Sequence, residues 1–362
     1  MRQVIVNATA LASSGGLSIL KQFIDEIPED EFEYILFVSE ELRFITSNKN
    51  VRFIGKSVKS FHKRFLWDAF GIKNWIKENN INCVAAISLQ NTNFRTNKTI
   101  PNFIYFHQSI PFFQKKWNPF KSNEKSLWFY KSIYPFFVKL FINKNTEVFV
   151  QSNFIKNSFA KHFDIPKERI HVISPKLEVP ILNVLKHSNQ NQDKINLFYP
   201  ATPFIYKNHS LLFEAIGQID NDLQKKITLT LTCTKEEIGY FIKRLNTHFN
   251  INFLGKIPFS EVLENYRKAD ALVFPSYIET IGLPLLEAAS FGLPILTSNL
   301  PYAHEVLDSY EGVIYIGYDN PSEWAKQILN LFHKKGQMFQ PFKITLSDSW
   351  PQLFNIVKAK IN

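Results

Sequence analysis

Short apolar runs alternate with amphipathic stretches and polar loops along the whole chain. The apolar runs predict buried strands, and the amphipathic stretches, with apolar residues three and four positions apart, predict helices. Alternating strands and helices are typical of parallel α/β sheets. The predicted strands are 4–6, 34–38, 51–54, 83–88, 102–106, 147–151, 169–173, 195–199, 227–232, 272–274, 295–297 and 312–316. The predicted helices are 17–27, 62–79, 153–163, 210–219, 235–249, 321–332 and 350–360.

The length of 362 residues exceeds one usual hydrophobic core and predicts two domains. A polar stretch with two prolines divides the pattern, so we expect domains at 1–175 and 195–340, a linker at 176–194, and a C-terminal segment at 341–362. The apolar fraction of 45% excludes a disordered chain. No apolar run is long enough to span a bilayer.

Two further features favour a cytoplasmic protein. The first residues lead directly into a predicted strand rather than a signal peptide. Cys83 and Cys233 lie far apart without metal-ligand spacing, and isolated thiols are typical of a reducing compartment.

Residues 272–306 form the most informative stretch, which predicts a strand, a loop, a helix and a further strand. Pro284 suits the first turn of the helix because proline donates no N–H group. Gly282 allows the backbone to approach a ligand closely. Backbone N–H groups at a helix N-terminus favour a diphosphate. We expect these contacts from four successive residues, Thr280, Ile281, Gly282 and Leu283.

Glu279 lies on this loop, and Glu287 is placed in the first turn of the predicted helix. A carboxylate facing a diphosphate would repel it, so these groups are suited to accepting hydrogen bonds from sugar and ribose hydroxyls. The structural alternative is that Glu287 offsets the helix dipole and Glu279 is solvated.

The string Glu279 to Pro284 followed by Glu287 resembles the motif of two glutamates separated by seven residues in family-four retaining glycosyltransferases of the GT-B fold. The resemblance implies two facing doubly wound domains with an interdomain cleft, and a C-terminal helix that crosses back to the first domain. It also implies transfer of a sugar, with retention, from a nucleoside-diphosphate sugar to a hydroxyl. Glu279 would then hold the transferred sugar and Glu287 the ribose.

Further positions gain a role from this resemblance. Gly15 and Gly16 end the first loop, where the family places a glycine pair in the cleft. His107 follows a strand in the context where the family carries a histidine beside the sugar, as a hydrogen-bond donor or charge stabiliser. Lys207 precedes a helix and would meet the diphosphate, although Ala201 and Thr202 stand where the family has an arginine. An ordinary surface lysine is the alternative for Lys207, and a purely structural histidine for His107.

Residues 112–144, hereafter the basic aromatic segment, carry much of the net charge of +10. Seven lysines alternate there with aromatic residues against one acid, Glu124. This composition suits either a peripheral position on an anionic membrane or core helices with solvated lysines, and Pro135 predicts two helical pieces. No nucleic-acid-binding signature is present.

The chain has no D-x-D motif and no cluster with metal-ligand spacing, so we expect no metal or other cofactor beyond the nucleotide-sugar substrate. Assembly of a bacterial capsule, lipopolysaccharide or exopolysaccharide on a lipid-linked acceptor is the expected setting. Two alternatives stay open: a sugar-nucleotide epimerase or hydrolase of the same fold, and a catalytically silent protein that binds polysaccharide or nucleic acid.

Overall fold

In the computed structural model the described residues are 1–177, 193–242, 248–342 and 349–361. They divide into two compact units. Unit 1 contains Met1–Lys176 and the C-terminal helix, and unit 2 contains the described residues between them. Residues 178–192, which make up most of the predicted linker, lie outside the described part of the chain. Within that part no helix is long and apolar enough to cross a membrane.

Unit 1 is built on a parallel sheet whose described strands run in the order β3-β2-β1-β4-β5-β6-β7. The order reverses between β1 and β4, as in doubly wound Rossmann-like folds. The strands are Arg2–Asn7 (β1), Phe32–Ser39 (β2), Val51–Lys56 (β3), Cys83–Ser88 (β4), Asn102–Phe106 (β5), Thr146–Val150 (β6) and Ile170–Val172 (β7).

Helices cover both faces of this sheet, because its strands are apolar on both sides. They are Ser14–Asp25 (α1), Phe61–Leu66 (α2), Ile72–Glu78 (α3), Lys125–Ser132 (α4), Tyr134–Leu140 (α5) and Asn153–Phe163 (α6).

The helices differ from the prediction in two places and confirm it in a third. α1 begins at Ser14 rather than at residue 17, so Gly15 and Gly16 lie in its first turn and not at the end of a loop. The predicted helix 62–79 contains a π-helical turn, Trp67–Gly71, between α2 and α3. The break expected at Pro135 is confirmed, since α4 ends at Ser132 and Pro135 stands in the first turn of α5.

Unit 2 contains a second parallel sheet, whose described strands run in the order β10-β9-β8-β11-β12-β13. This order also reverses once, between β8 and β11. The strands are Ile195–Tyr199 (β8), Ile227–Leu231 (β9), Asn250–Phe253 (β10), Ala271–Phe274 (β11), Ile295–Ser298 (β12) and Val313–Ile316 (β13). The helices are His209–Gly217 (α7), Asn221–Gln224 (α8), Lys235–Ile242 (α9), Phe259–Lys268 (α10), Leu283–Ser290 (α11), Pro301–Leu307 (α12) and Pro321–His333 (α13).

The C-terminal helix α14, Trp350–Ile361, packs in unit 1. Its apolar face, including Trp350 and Phe354, joins the core beneath α1. The Trp350 indole N–H donates to Gln22 Oε1 over 3.2 Å, and Lys360 pairs with Glu147 over 2.6 Å. The chain therefore returns to the unit in which it began.

Candidate active site

The reversal of strand order in unit 2 brings two loops together at the carboxyl ends of β8 and β11. In open α/β sheets this is the place where ligands bind. The Tyr277 N–H donates to the Tyr206 carbonyl over 2.9 Å, and the Asn208 amide donates to the Pro275 carbonyl over 3.3 Å. These hydrogen bonds join the two loops, although they lie about seventy residues apart in the sequence.

Lys207 and Glu279 meet at this junction. Lys207 Nζ lies 2.5 Å from Glu279 Oε1, and only 18% and 13% of their side chains are exposed. Neither alternative from the sequence fits this placement, because Glu279 is paired rather than solvated and Lys207 is largely covered. The Tyr199 hydroxyl donates to the Lys207 carbonyl over 2.6 Å and fixes the backbone there.

The pairing leaves capacity on both groups. An ammonium has three N–H donors, and a carboxylate has four acceptor positions. The Lys207 ammonium also lies 5.7 Å from the centre of the Tyr206 ring and 5.9 Å from that of Phe274. Aromatic faces favour a cation at such distances. An ion pair held in this way can bind a phosphate on one side and a hydroxyl on the other.

Gly282 precedes α11 and adopts φ +77°, in the left-handed region. A Cβ at this position would lie 3.2 Å from Leu285 and 3.3 Å from Tyr302, so both conformation and space favour glycine. Pro284 stands in the first turn of α11, as predicted. The Ile281 side chain is buried, so this residue can offer a ligand its backbone N–H group rather than its side chain.

Glu287 lies in the second turn of α11, not in the first as the sequence suggested. It is 8% exposed, and its Oε2 atom accepts a hydrogen bond of 2.7 Å from the Tyr266 hydroxyl of α10. Burial raises the pKa of this carboxyl to about 7. Its Oε1 atom has no hydrogen-bond partner among the described residues, so it can accept a ligand hydroxyl.

Three predicted site residues lie in unit 1. The His107 ring nitrogen Nε2 is 3.1 Å from the Leu89 carbonyl, and burial lowers the pKa of His107 to about 4. The ring is therefore neutral near pH 7, and donation from Nε2 leaves Nδ1 as an acceptor rather than the expected donor. Gly15 is exposed in the first turn of α1, while a Cβ on Gly16 would meet Leu11 at 3.0 Å.

The basic aromatic segment has a buried side, as the core-helix alternative expects, and an exposed side. Trp117, Leu127, Tyr134 and Val138 are buried, as core residues are. By contrast, Phe120 is 95% exposed and Phe136 is 64% exposed. Six of the seven lysines are exposed, namely Lys115, Lys116, Lys121, Lys125, Lys139 and Lys144. One side of the segment thus packs in unit 1 and the other presents lysines and aromatic rings.

Sequence reasoning missed two residues, one in each unit, that hydrogen-bond near the predicted positions. Tyr266 lies on α10, and its helical spacing from Leu263 and Phe259 in the sequence indicates that it shares their apolar face. Asp68 is buried in unit 1, where the Asn7 and Gln90 amides donate to its carboxyl over 2.8 and 3.1 Å. In the sequence, its position on the apolar side of the predicted helix 62–79 indicates that Asp68 is buried. Burial raises the pKa of Asp68 to about 7.

Comparison with known families agrees with this arrangement. The model of the glycosyl transferases group 1 matches residues 183–341, and that of glycosyltransferase family 4 matches residues 18–176. The two matches together account for most of the chain. Both halves of the chain thus match models of glycosyltransferase families.

One curated relative is the O-antigen chain mannosyltransferase RfbU of Salmonella typhimurium. It is 27% identical over 209 residues, which are 56% of this chain and 55% of RfbU. The chain thus spans about half the length of the curated relatives it matches.

Solved structures agree with the GT-B fold. The crystal structure of WaaG, a glycosyltransferase involved in lipopolysaccharide biosynthesis, aligns with a TM-score of 0.67 and 17% identity, over 98% of this chain and 99% of WaaG. HepE of Anabaena, in complex with UDP-glucose, aligns with a TM-score of 0.59 and 12% identity over 92% and 90% of the two chains.

Proposed function

We propose that this chain transfers a sugar from a nucleoside-diphosphate sugar to a hydroxyl acceptor with retention of configuration, in the assembly of a bacterial surface polysaccharide. The observation that carries the proposal is the Lys207–Glu279 pair at the strand-order reversal of unit 2, next to the N-terminus of α11. The matches to two glycosyltransferase family models, the resemblance to RfbU and the UDP-glucose bound by HepE support it.

In this proposal the diphosphate lies against the backbone N–H groups of 280–283 and the free donors of Lys207. Lys207 and the helix N-terminus together balance the negative charge of the diphosphate, because the arginine expected at 201–202 is missing. Glu279 accepts hydrogen bonds from hydroxyls of the transferred sugar while holding Lys207. Burial raises the pKa of Glu287 while the hydrogen bond from Tyr266 opposes that rise, and Oε1 is the atom offered to the ribose.

Transfer breaks the bond between the anomeric carbon and the diphosphate oxygen and forms one between that carbon and the acceptor oxygen. The acceptor proton moves to the departing diphosphate on the same face, so the proposal needs no protein base. Lys207 stabilises the charge that develops on the diphosphate.

The test is release of nucleoside diphosphate from a panel of nucleotide sugars, with and without glycan-lipid acceptors. We expect release to depend on an acceptor and to fall in Glu279→Gln. Glu214→Gln is the matched control, because Glu214 is an exposed carboxylate on α7 of the same unit. Donor consumption without any acceptor would instead favour an epimerase or hydrolase. Ligand binding with no release from any donor would favour a silent binding protein.

We also propose that the basic aromatic segment binds an anionic membrane surface. Exposed lysines contribute about 1 kcal/mol each near anionic lipid, and exposed Phe120 and Phe136 add apolar contact. Such contact would keep a lipid-linked acceptor near the enzyme. Vesicle sedimentation, described below, tests this second proposal.

A further inference from the structure

A buried polar network lies at the carboxyl ends of β1 and β4, where the strand order of unit 1 reverses. Asn7 ends β1, and Gln90 follows β4 by two residues. Asp68, from the π-helical turn Trp67–Gly71, stands between them, and none of the three side chains is more than 5% exposed. Ligands of open α/β sheets bind outside such a reversal, so the network borders this crevice and the β1–α1 loop, residues 8–13.

The carboxylate of this network orients two amides. The Asn7 amide N–H donates to Asp68 Oδ1 over 2.8 Å, and Gln90 Nε2 lies 3.1 and 3.2 Å from the two carboxylate oxygens. The oxygens of both amides face the β1–α1 loop, since Asn7 Oδ1 and Gln90 Oε1 each lie 3.1 Å from the Thr9 hydroxyl. Gln90 Oε1 also accepts from the Ala10 N–H over 3.1 Å. Because a carboxylate only accepts hydrogen bonds, it decides which end of each amide faces the loop.

The segment after β4 also contacts His107. The His107 N–H donates to Asn91 Oδ1 over 2.6 Å, and the ring nitrogen Nε2 lies 3.1 Å from the Leu89 carbonyl. Gln90, which stands between these two residues in the sequence, is bound to Asp68 by its side chain. The carboxylate therefore fixes two loops at the crevice through one glutamine.

A buried carboxylate is costly at this position. Burial raises the pKa of Asp68 to about 7, although the hydrogen bond from Asn7 and the positive charge of Arg64 oppose that rise. The substitution Asp68→Asn would avoid the cost, but its amide nitrogen would face the amide nitrogen of Asn7 or Gln90, and all of these are donors. If Gln90 turned over in response, its own nitrogen would face the Ala10 N–H. The network therefore depends on a group that only accepts.

We infer that Asp68 is a positioning residue for the transfer reaction, because it fixes two loops at the edge of unit 1 where a substrate would bind. Asp68 is too deeply buried to contact a substrate itself, so it acts through Gln90. The inference rests on the proposed function for the reaction, whereas the effect on the β1–α1 loop can be measured without any substrate.

The test compares Asp68→Asn with the double variant Asp68→Asn/Gln90→Glu, which exchanges the acid and the amide. In the double variant the amide at position 68 accepts from Asn7 through its oxygen and donates to the acid at position 90 through its nitrogen. That acid can accept from the Thr9 hydroxyl and the Ala10 N–H, so these donors keep their acceptors.

Two measurements follow both variants. Asp68→Asn should lower kcat roughly ten- to hundredfold, since a displacement of about 1 Å can have that effect, and the double variant should recover most of the loss. The affinity for nucleoside diphosphate should stay unchanged, because the proposed diphosphate contacts lie in unit 2. Hydrogen exchange of the Ala10 amide reports the β1–α1 loop directly. It should become roughly tenfold faster in Asp68→Asn, as loss of one buried hydrogen bond predicts, and return towards the wild-type rate in the double variant.

Thr146→Val is the matched control, because it also removes buried hydrogen bonds from unit 1. The Thr146 hydroxyl donates to Asn102 Oδ1 over 2.5 Å and accepts from the Asn143 N–H over 2.9 Å, at the amino end of β6 and hence at the opposite edge of the sheet. This variant should have a lower melting temperature but an unchanged kcat at temperatures where it is folded.

A second variant covers the case in which Asp68→Asn does not fold. Thr9→Val leaves the carboxylate in place and removes the hydroxyl that contacts Asn7 and Gln90. It should also lower kcat and speed up exchange of the Ala10 amide.

Several outcomes would overturn the inference. A double variant as slow as Asp68→Asn would mean that the negative charge at position 68 matters rather than the direction of its hydrogen bonds. An equal loss of kcat in Thr146→Val would mean that stability alone is responsible. If the wild type turns over a donor and Asp68→Asn changes neither kcat nor exchange, this inference fails alone. If the wild type turns over no donor while Ala10 exchange responds as expected, the proposed function fails and Asp68 still holds the loop.

Discussion

Replacing Glu287 with glutamine should change how the stability of unit 2 depends on pH. The carboxyl is 8% exposed, and burial raises its pKa from 4.5 to about 7. A raised pKa means that the folded state binds the proton more tightly than the unfolded state. The stabilising contribution is therefore fully present below pH 4.5 and is lost as the pH rises through about 7. Because one pKa unit corresponds to ~1.36 kcal/mol, the loss amounts to about 3 kcal/mol.

Glutamine at this position resembles the protonated acid and does not titrate. We expect the melting temperature of Glu287→Gln, relative to wild type, to rise by roughly 6–12 °C between pH 4.5 and about 8, since 1 kcal/mol shifts a unit of this size by ~2–4 °C. Differential scanning calorimetry at several pH values measures this. Titration of Asp68 and His107 affects both proteins equally and cancels in the difference.

Glu214→Gln again serves as the control, because it removes an exposed carboxylate from unit 2. Its difference from wild type should stay constant with pH. A flat difference for Glu287→Gln as well would show that the pKa of the Glu287 carboxyl is the same in the folded and the unfolded protein. The proposed effect of burial on its pKa would then be wrong.

Three further predictions concern ligands. Glu279→Gln should lower turnover roughly ten- to hundredfold with little change in nucleotide affinity, and wild-type turnover would exclude Glu279 from the site. Lys207→Ala should weaken nucleoside diphosphate binding far more than nucleoside binding in calorimetry, and equal losses would mean that Lys207 does not contact phosphate. The protein should sediment with anionic but not neutral vesicles, partly reversed by high salt. A variant with four lysines changed to glutamine should bind anionic vesicles more weakly at an unchanged melting temperature; the four positions are Lys115, Lys116, Lys121 and Lys125. Wild-type protein that stays in the supernatant with anionic vesicles at low salt would refute membrane binding.

The sequence predicted most strands and the long helices because these depend on local patterns. Asn153–Phe163 coincides with the predicted helix 153–163, where Ser152 caps the N-terminus by accepting from the Ile155 N–H. The π-helical turn Trp67–Gly71 was not predicted, because its apolar spacing resembles that of an ordinary helix. It places Asp68 beneath β1 and β4, whose pairing no local pattern specifies.

The features of the candidate site also divide into those that local sequence patterns predict and those that depend on the tertiary structure. The sequence alone determined the strand, the glycine-containing loop and the helix around Gly282, because φ preference and apolar periodicity act over a few residues. It also determined the parallel α/β class. Only the tertiary structure decided that Lys207 and Glu279 form one ion pair, because the order of strands brings β8 beside β11. Likewise, only folding buries Glu287 and so raises the pKa of its carboxyl, since a pKa depends on the surroundings that folding creates.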